Sequence, residues 1–189
     1  MKNNIKTILD KHINTIQYLS EEIDTIEKIA NIIINALKHG NKVLIAGNGG
    51  SAADAQHFAG ELVCKFQKER KALPAIALNT NTSVLTAIGN DYSFEEIFSR
   101  QIEALSKSGD VFLGISTSGN SLNIIKALKI AKRLGCQTIG FTGKTGGKMQ
   151  EDCDILFKVN SQDTPRIQEV HILVIHILCE LIEENLFNE

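Results

Sequence analysis

The stretch Lys42-Val43-Leu44-Ile45-Ala46-Gly47-Asn48-Gly49-Gly50-Ser51-Ala52 decides how this chain folds. Its first half is a short apolar, β-branched run, the pattern of a strand covered on both faces. Its second half is a glycine-rich turn, and a helical pattern starts near Ala52. Strand, glycine turn and helix make one unit of an α/β fold. Four more short apolar runs follow: Ala75-Ile76-Ala77-Leu78, Val111-Phe112-Leu113-Gly114-Ile115, Thr138-Ile139-Gly140-Phe141-Thr142 and Ile155-Leu156-Phe157-Lys158-Val159. Helical patterns separate most of them. The expected architecture is therefore α/β, a three-layer αβα sandwich around a five-stranded parallel sheet.

Two helices precede the sheet. Ile5, Ile8, Leu9, His12, Ile13, Ile16 and Leu19 recur at helical spacing. A second helix is expected after Ser20, whose hydroxyl would cap it, with Glu21 and Glu22 in its positive first turn. It carries Ile23, Ile26, Ile29, Ala30, Ile33, Ile34 and Leu37, and Gly40 ends it behind Lys38 and His39. No linker, repeat or low-complexity segment interrupts the chain. The reading is one domain over 1–189, with a helical hairpin over 1–40 and an α/β core over 41–189. The core closes on a helix from about Pro165 to Phe187, with proline in the first turn where its missing N–H costs nothing. Ile167, Val170, Ile172 to Ile175, Ile177, Leu178, Leu181 and Ile182 cover nearly the whole circumference of that helix. A helix apolar all round is buried on all sides, more than one small sheet can provide, so a homo-oligomer is expected.

The composition narrows the function classes. The chain has 189 residues, 43% of them hydrophobic and 22% charged, with a net charge of -2. That excludes a disordered chain and speaks against a grip on nucleic acid through bulk electrostatics. Aromatic residues make up 5% and tryptophan is absent, so no platform for stacking bases or sugar rings stands out. Cys64, Cys136, Cys153 and Cys179 lie far apart without a CxxC pair and read as reduced thiols. Met1-Lys2-Asn3-Asn4-Ile5-Lys6 lacks the apolar core of a signal peptide. The apolar run from Val170 to Ile182 is broken by His171, His176 and Glu180 and is too short to span a bilayer. A cytoplasmic protein with no membrane or nucleic-acid partner is expected.

Ligands of such sheets bind beyond the C-terminal ends of the strands. Two loops are built for this. In Gly47-Asn48-Gly49-Gly50-Ser51, glycines let backbone N–H groups approach an anion at a helix N-terminus. Extended to Ala52 it matches the GxGxxG/A dinucleotide fingerprint, but the next strand ends Leu78-Asn79-Thr80 and offers no carboxylate for a ribose. A nucleotide cofactor is not expected. The second loop, Ser116-Thr117-Ser118-Gly119-Asn120-Ser121, places four hydroxyls before a helix. A helix cap needs one; four, with backbone N–H groups, suit a phosphate held without lysine.

Polar side chains on two helices complete the candidate site. His57 and Glu61 are four residues apart and share a helical face, which suits either metal binding or acid/base work. Gln168, His171 and His176 interrupt the apolar last helix, and buried polar groups need partners.

Taken together, the Gly47–Ser51 unit, the Ser116–Ser121 loop and Arg166-Ile167-Gln168-Glu169-Val170-His171 through His176 resemble the sugar isomerase (SIS) domain family. Within it they are similar to its phosphoheptose isomerase branch. The likeness covers essentially the whole chain, including Gly89-Asn90-Asp91 and Ile97-Phe98-Ser99-Arg100-Gln101. The resemblance implies a flavodoxin-like SIS sheet and a homotetramer with active sites between subunits. It implies a phosphorylated heptose substrate, sedoheptulose 7-phosphate, isomerised to D-glycero-D-manno-heptose 7-phosphate through an enediol(ate). It implies that Ser116, Thr117, Ser118 and Ser121 hold the phosphate, and that Asn48, Gly49, Gly50, Ser51, Asn90, Asp91 and Gln168 contact the sugar. It further implies one loosely held zinc ion per subunit at His57, Glu61, Gln168 and His176, with Glu61 and His176 as the acid/base pair. Cys64-Lys65-Phe66 departs from the Gly-Arg-Tyr often found there, so Lys65 stands where the family has an arginine. The subfamily also holds a non-catalytic regulator that binds a replication-initiator protein. It lacks the glutamate and the final histidine, and both are present here.

Overall fold

The computed structural model describes residues 1–187. The chain forms α1 (Lys2–Gln17), α2 (Ile23–Lys38), β1 (Val43–Gly47), α3 (Gly50–Val63), β2 (Ala75–Ala77) and α4 (Thr82–Asp91). It continues through α5 (Ser99–Leu105), β3 (Val111–Ile115), α6 (Leu122–Arg133), β4 (Gln137–Thr142), β5 (Ile155–Lys158) and α7 (Thr164–Phe187). The five strands pair in parallel in the order β2-β1-β3-β4-β5. The expected α/β sandwich with a five-stranded parallel sheet is what the chain adopts.

Strand alternation sorts the core into two layers. Val43, Ile45, Val111, Leu113, Ile139 and Phe141 pack with α2, α3 and α7 on one face. Leu44, Ala46, Phe112 and Leu78 pack with α5 and α6 on the other. Phe58, Phe98, Phe112, Phe141 and Phe157 are completely buried and fill both layers. Among the described residues no helix is long and apolar enough to cross a membrane.

The helical hairpin differs from expectation at its corner. Ser20 does not cap α2; its hydroxyl donates to the Gln17 carbonyl inside a 3-10 turn over Tyr18–Glu21. The tightened turn delays α2 to Ile23, and Glu22 at its N-cap makes no side-chain cap. Beyond it, α1 docks on α7 through polar groups. Arg166 donates to the Ile8 carbonyl, and His12 pairs with Glu169 at 2.6 Å. Ile5, Ile8, Leu9 and Ile13 stay about half exposed. On α7 one side is sealed by Val170, Val174, Leu178 and Ile182, while Ile172, Ile177 and Leu181 are half-buried.

His171 is the buried polar exception on α7. Its Nε2 donates to the Thr142 carbonyl at 3.2 Å, its Nδ1 has no partner, and its ring lies against Phe141 and Phe157. Burial pushes its pKa down to about 4, against the opposing effect of the Thr142 bond. The unfolded chain therefore takes up this proton first, from about pH 6.5. The stability His171 contributes is complete above that pH and is lost as pH falls towards 4, by about 3 kcal/mol in all. Asp54 works in the opposite sense, because burial raises its carboxyl to about 6, partly offset by His57. The clean measurement is a difference. Urea unfolding at pH 7, 5.5 and 4.5 should show wild type losing ground to His171→Phe as pH falls. A constant difference would mean that His171 does not titrate with unfolding.

Candidate active site

The strand order places the site. From β1 the chain moves outward to β2 and then returns to β3 on the other side of β1. The connections therefore diverge between β1 and β3, the switch point where open α/β sheets bind ligands. Gly47 pairs in register with Ile115, so the two candidate loops leave neighbouring strands at the same level.

The first loop requires its glycines. A Cβ on Gly47 would lie 2.3 Å from the Ser51 carbonyl oxygen, and Gly49 has φ +56°. A Cβ on Gly50 would lie 2.6 Å from Gln168 Nε2, which shows that the first turns of α3 and α7 meet here. Ser51 is buried. Asn79 brackets the loop: its amide donates to the Gly47 carbonyl at 2.8 Å and its oxygen accepts from Gly47 N at 3.3 Å. Where a dinucleotide site would need a carboxylate, this chain has a structural amide.

In the second loop Ser116 and Ser121 hydroxyls meet at 2.9 Å. Ser118 Oγ accepts from Asn120 N at 3.1 Å, while Thr117 is half-buried. Gly119, at φ +68°, presses backbone to backbone on Gly146 and Gly147. The start of α6 thus faces the switch point with its hydroxyls around it, as an anion site requires. The two loops are tied by one part-buried amide pair. Asn48 Nδ2 donates to Asn123 Oδ1 at 3.0 Å, and Asn123 Nδ2 donates back at 2.9 Å. The Asn48 side chain is thereby committed to Asn123, which leaves its backbone to face a ligand.

The polar helix residues converge. His57 Nε2 lies 3.0 Å from Glu61 Oε1 and 3.4 Å from His176 Nε2, so α3 and α7 bring together side chains 119 positions apart. The His57 ring meets His176 edge-on at 5.0 Å, and Phe66 stacks on His176 at 5.6 Å. Asp54, one turn before His57, has a buried, unpartnered Oδ2. Among the described residues, no three His, Cys, Asp or Glu side chains are gathered tightly enough to hold an ion as they stand. The donor chemistry does fit zinc: two imidazole nitrogens and a carboxylate within one cluster, with the amide of Gln168 the weakest donor.

Other candidates lie nearby or apart. Asn90 and Asp91 end α4, exposed and hydrogen-bonded to each other at 2.8 Å. A cavity of about 530 Å³ runs from Gly47, Asn48 and Asn79 to Thr86 and Gly89 on the same helix. A second, of about 250 Å³, opens between Thr117, Ser118 and Asn120 and the start of α7 at Thr164. Lys65 is exposed and ion-paired with Glu69. His171 is absorbed by the core and takes no part in the cluster.

The residues that brace the site carry little local signal in the sequence. Asn79, Asn123, and the buried pair of Arg70 and Glu183 act through long-range hydrogen bonds that local periodicity does not reveal. The available signal was polarity out of place, since Glu183 interrupts an apolar helix face and must find partners.

A parallel α/β sheet with a hydroxyl-lined loop at its switch point, and a carboxylate–imidazole cluster farther along α3 and α7, defines a protein of the SIS-domain class. Residues 9–143 match the SIS domain family. Similar proteins over nearly the whole length include the phosphoheptose isomerase of Trichlorobacter lovleyi, 56% identical across 99% of this chain and 96% of that protein. That of Aliarcobacter butzleri is 57% identical across 93% of each. Among solved structures, the phosphoheptose isomerase of Neisseria gonorrhoeae superposes with TM-score 0.92 at 42% identity, covering 97% of this chain and 98% of that one. That of Francisella tularensis gives 0.93 at 38%, covering 96% and 97%. The chain belongs to the phosphoheptose isomerase family.

Proposed function

We propose that this enzyme isomerises sedoheptulose 7-phosphate to D-glycero-D-manno-heptose 7-phosphate in heptose synthesis, with Glu61 and His176 as its acid/base pair. The observation that carries this assignment is the cluster in which His57 contacts both Glu61 and His176 between α3 and α7.

Ketose–aldose isomerisation moves one proton between carbons and one between oxygens. Glu61 takes a proton from C1 as O2 is protonated, which gives the enediol(ate). Loss of the O1 proton and return of a proton from Glu61 to C2 then give the aldose. His176 serves O1 and O2. The phosphate sits on Ser116, Thr117, Ser118 and Ser121 with the N–H groups that open α6. The sugar is held by Asn48, through its backbone, and by Gly49, Gly50, Ser51, Asn90, Asp91 and Gln168. Zinc would be held by His57, Glu61, Gln168 and His176. When bound, it supplies Lewis-acid polarisation of the substrate carbonyl.

The working unit is a homotetramer with sites at subunit boundaries. The exposed apolar stripe of Ile5, Ile8, Leu9 and Ile13 and the half-buried face of α7 support this reading. The location that fits the substrate and the sequence is the cytoplasm.

A panel of phosphorylated ketoses tests the function. Sedoheptulose 7-phosphate should give the aldoheptose 7-phosphate with the highest kcat/KM, ahead of pentose and hexose phosphates. Binding without turnover of any member would point instead to a sugar-phosphate-sensing regulator.

A further inference from the structure

The segment after α3 has no regular structure over Cys64–Lys71, yet it is tightly fixed. The Glu183 carboxylate gathers it. That group accepts from the backbone N–H of Phe66 at 2.8 Å, from Gln67 and Lys68 at 2.9 Å each, and from Arg70 Nε at 2.9 Å. Arg70 in turn donates to the carbonyls of Glu61 at 2.7 Å and Leu62 at 2.8 Å, closing the end of α3. The Arg70 and Glu183 side chains are 1% and 3% exposed. The buried pair therefore joins α3, the loop and α7 into one body. Glu183 lies seven residues beyond His176, two turns along the same helical face. The loop held at Glu183 thereby carries Phe66 back onto the His176 ring, with centroids 5.6 Å apart and planes 28° from parallel. His57 bounds the same imidazole edge-on.

We propose that Phe66 is a positioning residue for the reaction, fixing the plane of the His176 imidazole from a loop clasped on the Glu183–Arg70 pair. An imidazole on a half-buried stretch of helix has rotameric freedom about two side-chain bonds. An aromatic face stacked on one side and a second ring on its edge remove most of that freedom. A catalytic group must be held within about 0.5 Å and 10–20° of its productive geometry, and loose support is costly to the rate. Phe66 itself offers no proton and no hydrogen bond from its side chain, so its effect passes through His176. The inference rests on the assignment of His176 as acid/base.

The test is a double-mutant cycle read in steady-state kinetics, with Tm recorded for every variant. Phe66→Leu keeps an apolar side chain and should lower kcat about tenfold with KM changed less than about twofold. Phe66→Tyr keeps the ring and should restore most of that loss. In a His176→Gln background, Phe66→Leu should change the residual rate by less than about twofold, because the group it orients is gone. A His176→Gln enzyme with wild-type turnover would remove the acid/base assignment itself. An impaired His176→Gln enzyme would overturn the positioning role alone under any of three outcomes. These are a Phe66→Leu kcat within about twofold of wild type, a loss that persists undiminished without His176, or a loss that appears only in KM or only with a lowered Tm.

Discussion

Glu61→Gln should leave a folded protein that binds the sugar phosphate and turns it over at least about a thousandfold more slowly. Glutamine keeps the size of the side chain and can still accept from His57, whose Nε2 now lies 3.0 Å from the carboxylate. It cannot take a proton from carbon. The phosphate contacts come from a different loop, so KM or ligand affinity should change far less than kcat. Heavy water supplies a second readout. Wild-type enzyme should exchange substrate hydrogen with solvent at the reacting carbons, and Glu61→Gln should not. Full turnover by Glu61→Gln would refute Glu61 as the carbon base. Loss of turnover with solvent exchange preserved would place the defect at the oxygens instead. Because the end of α3 is held by Arg70 through the Glu61 backbone carbonyl, the side-chain substitution leaves that closure in place.

Much of this was legible in the sequence, and the reasons are physical. Strands buried on both faces must be apolar throughout, so Val43–Ala46 and Val111–Ile115 declared themselves. Backbone conformations and contacts that only glycine permits fixed the first loop at Gly47, Gly49 and Gly50. The sharing of a helix face by His57 and Glu61 follows from helical spacing. By its spacing His176 was only a polar group out of place, and the family resemblance alone paired it with Glu61. That it meets His57 depends on how α7 crosses α3, which no local pattern encodes. The bracing amides were harder still. Asn79 looked like a missing carboxylate and Asn123 drew no notice in the sequence, yet they complete hydrogen bonds across 32 and 75 residues. Ser20 shows the opposite failure: a good capping residue was overridden when the corner tightened into a 3-10 turn.

Glu183→Ala should destabilise the protein strongly, costing about 3–5 kcal/mol. Burial alone would raise this carboxyl, but the three amide N–H groups of Phe66, Gln67 and Lys68 and the Arg70 guanidinium outweigh it and hold its pKa at about 2. Its contribution is therefore complete above about pH 4.5 and is lost only as pH falls towards 2. At pH 7, removing the carboxylate strands Arg70 at 1% side-chain exposure and leaves three amides without their acceptor. For a chain of this size that corresponds to a Tm lower by roughly 6–20 °C in calorimetry. The partner experiment separates charge from hydrogen bonding. Adding Arg70→Met to Glu183→Ala removes the stranded cation and should recover part of the loss. Recovery cannot be complete, because the amides of the loop remain unsatisfied and Arg70 also closes the end of α3. A loss below about 1 kcal/mol for Glu183→Ala would mean that water or another group takes over the loop, as at an exposed pair. Full recovery in the double variant would mean that the stranded charge alone carries the cost. Because the same carboxylate clasps the loop that sets Phe66 on His176, Glu183→Ala is expected to lower turnover together with stability.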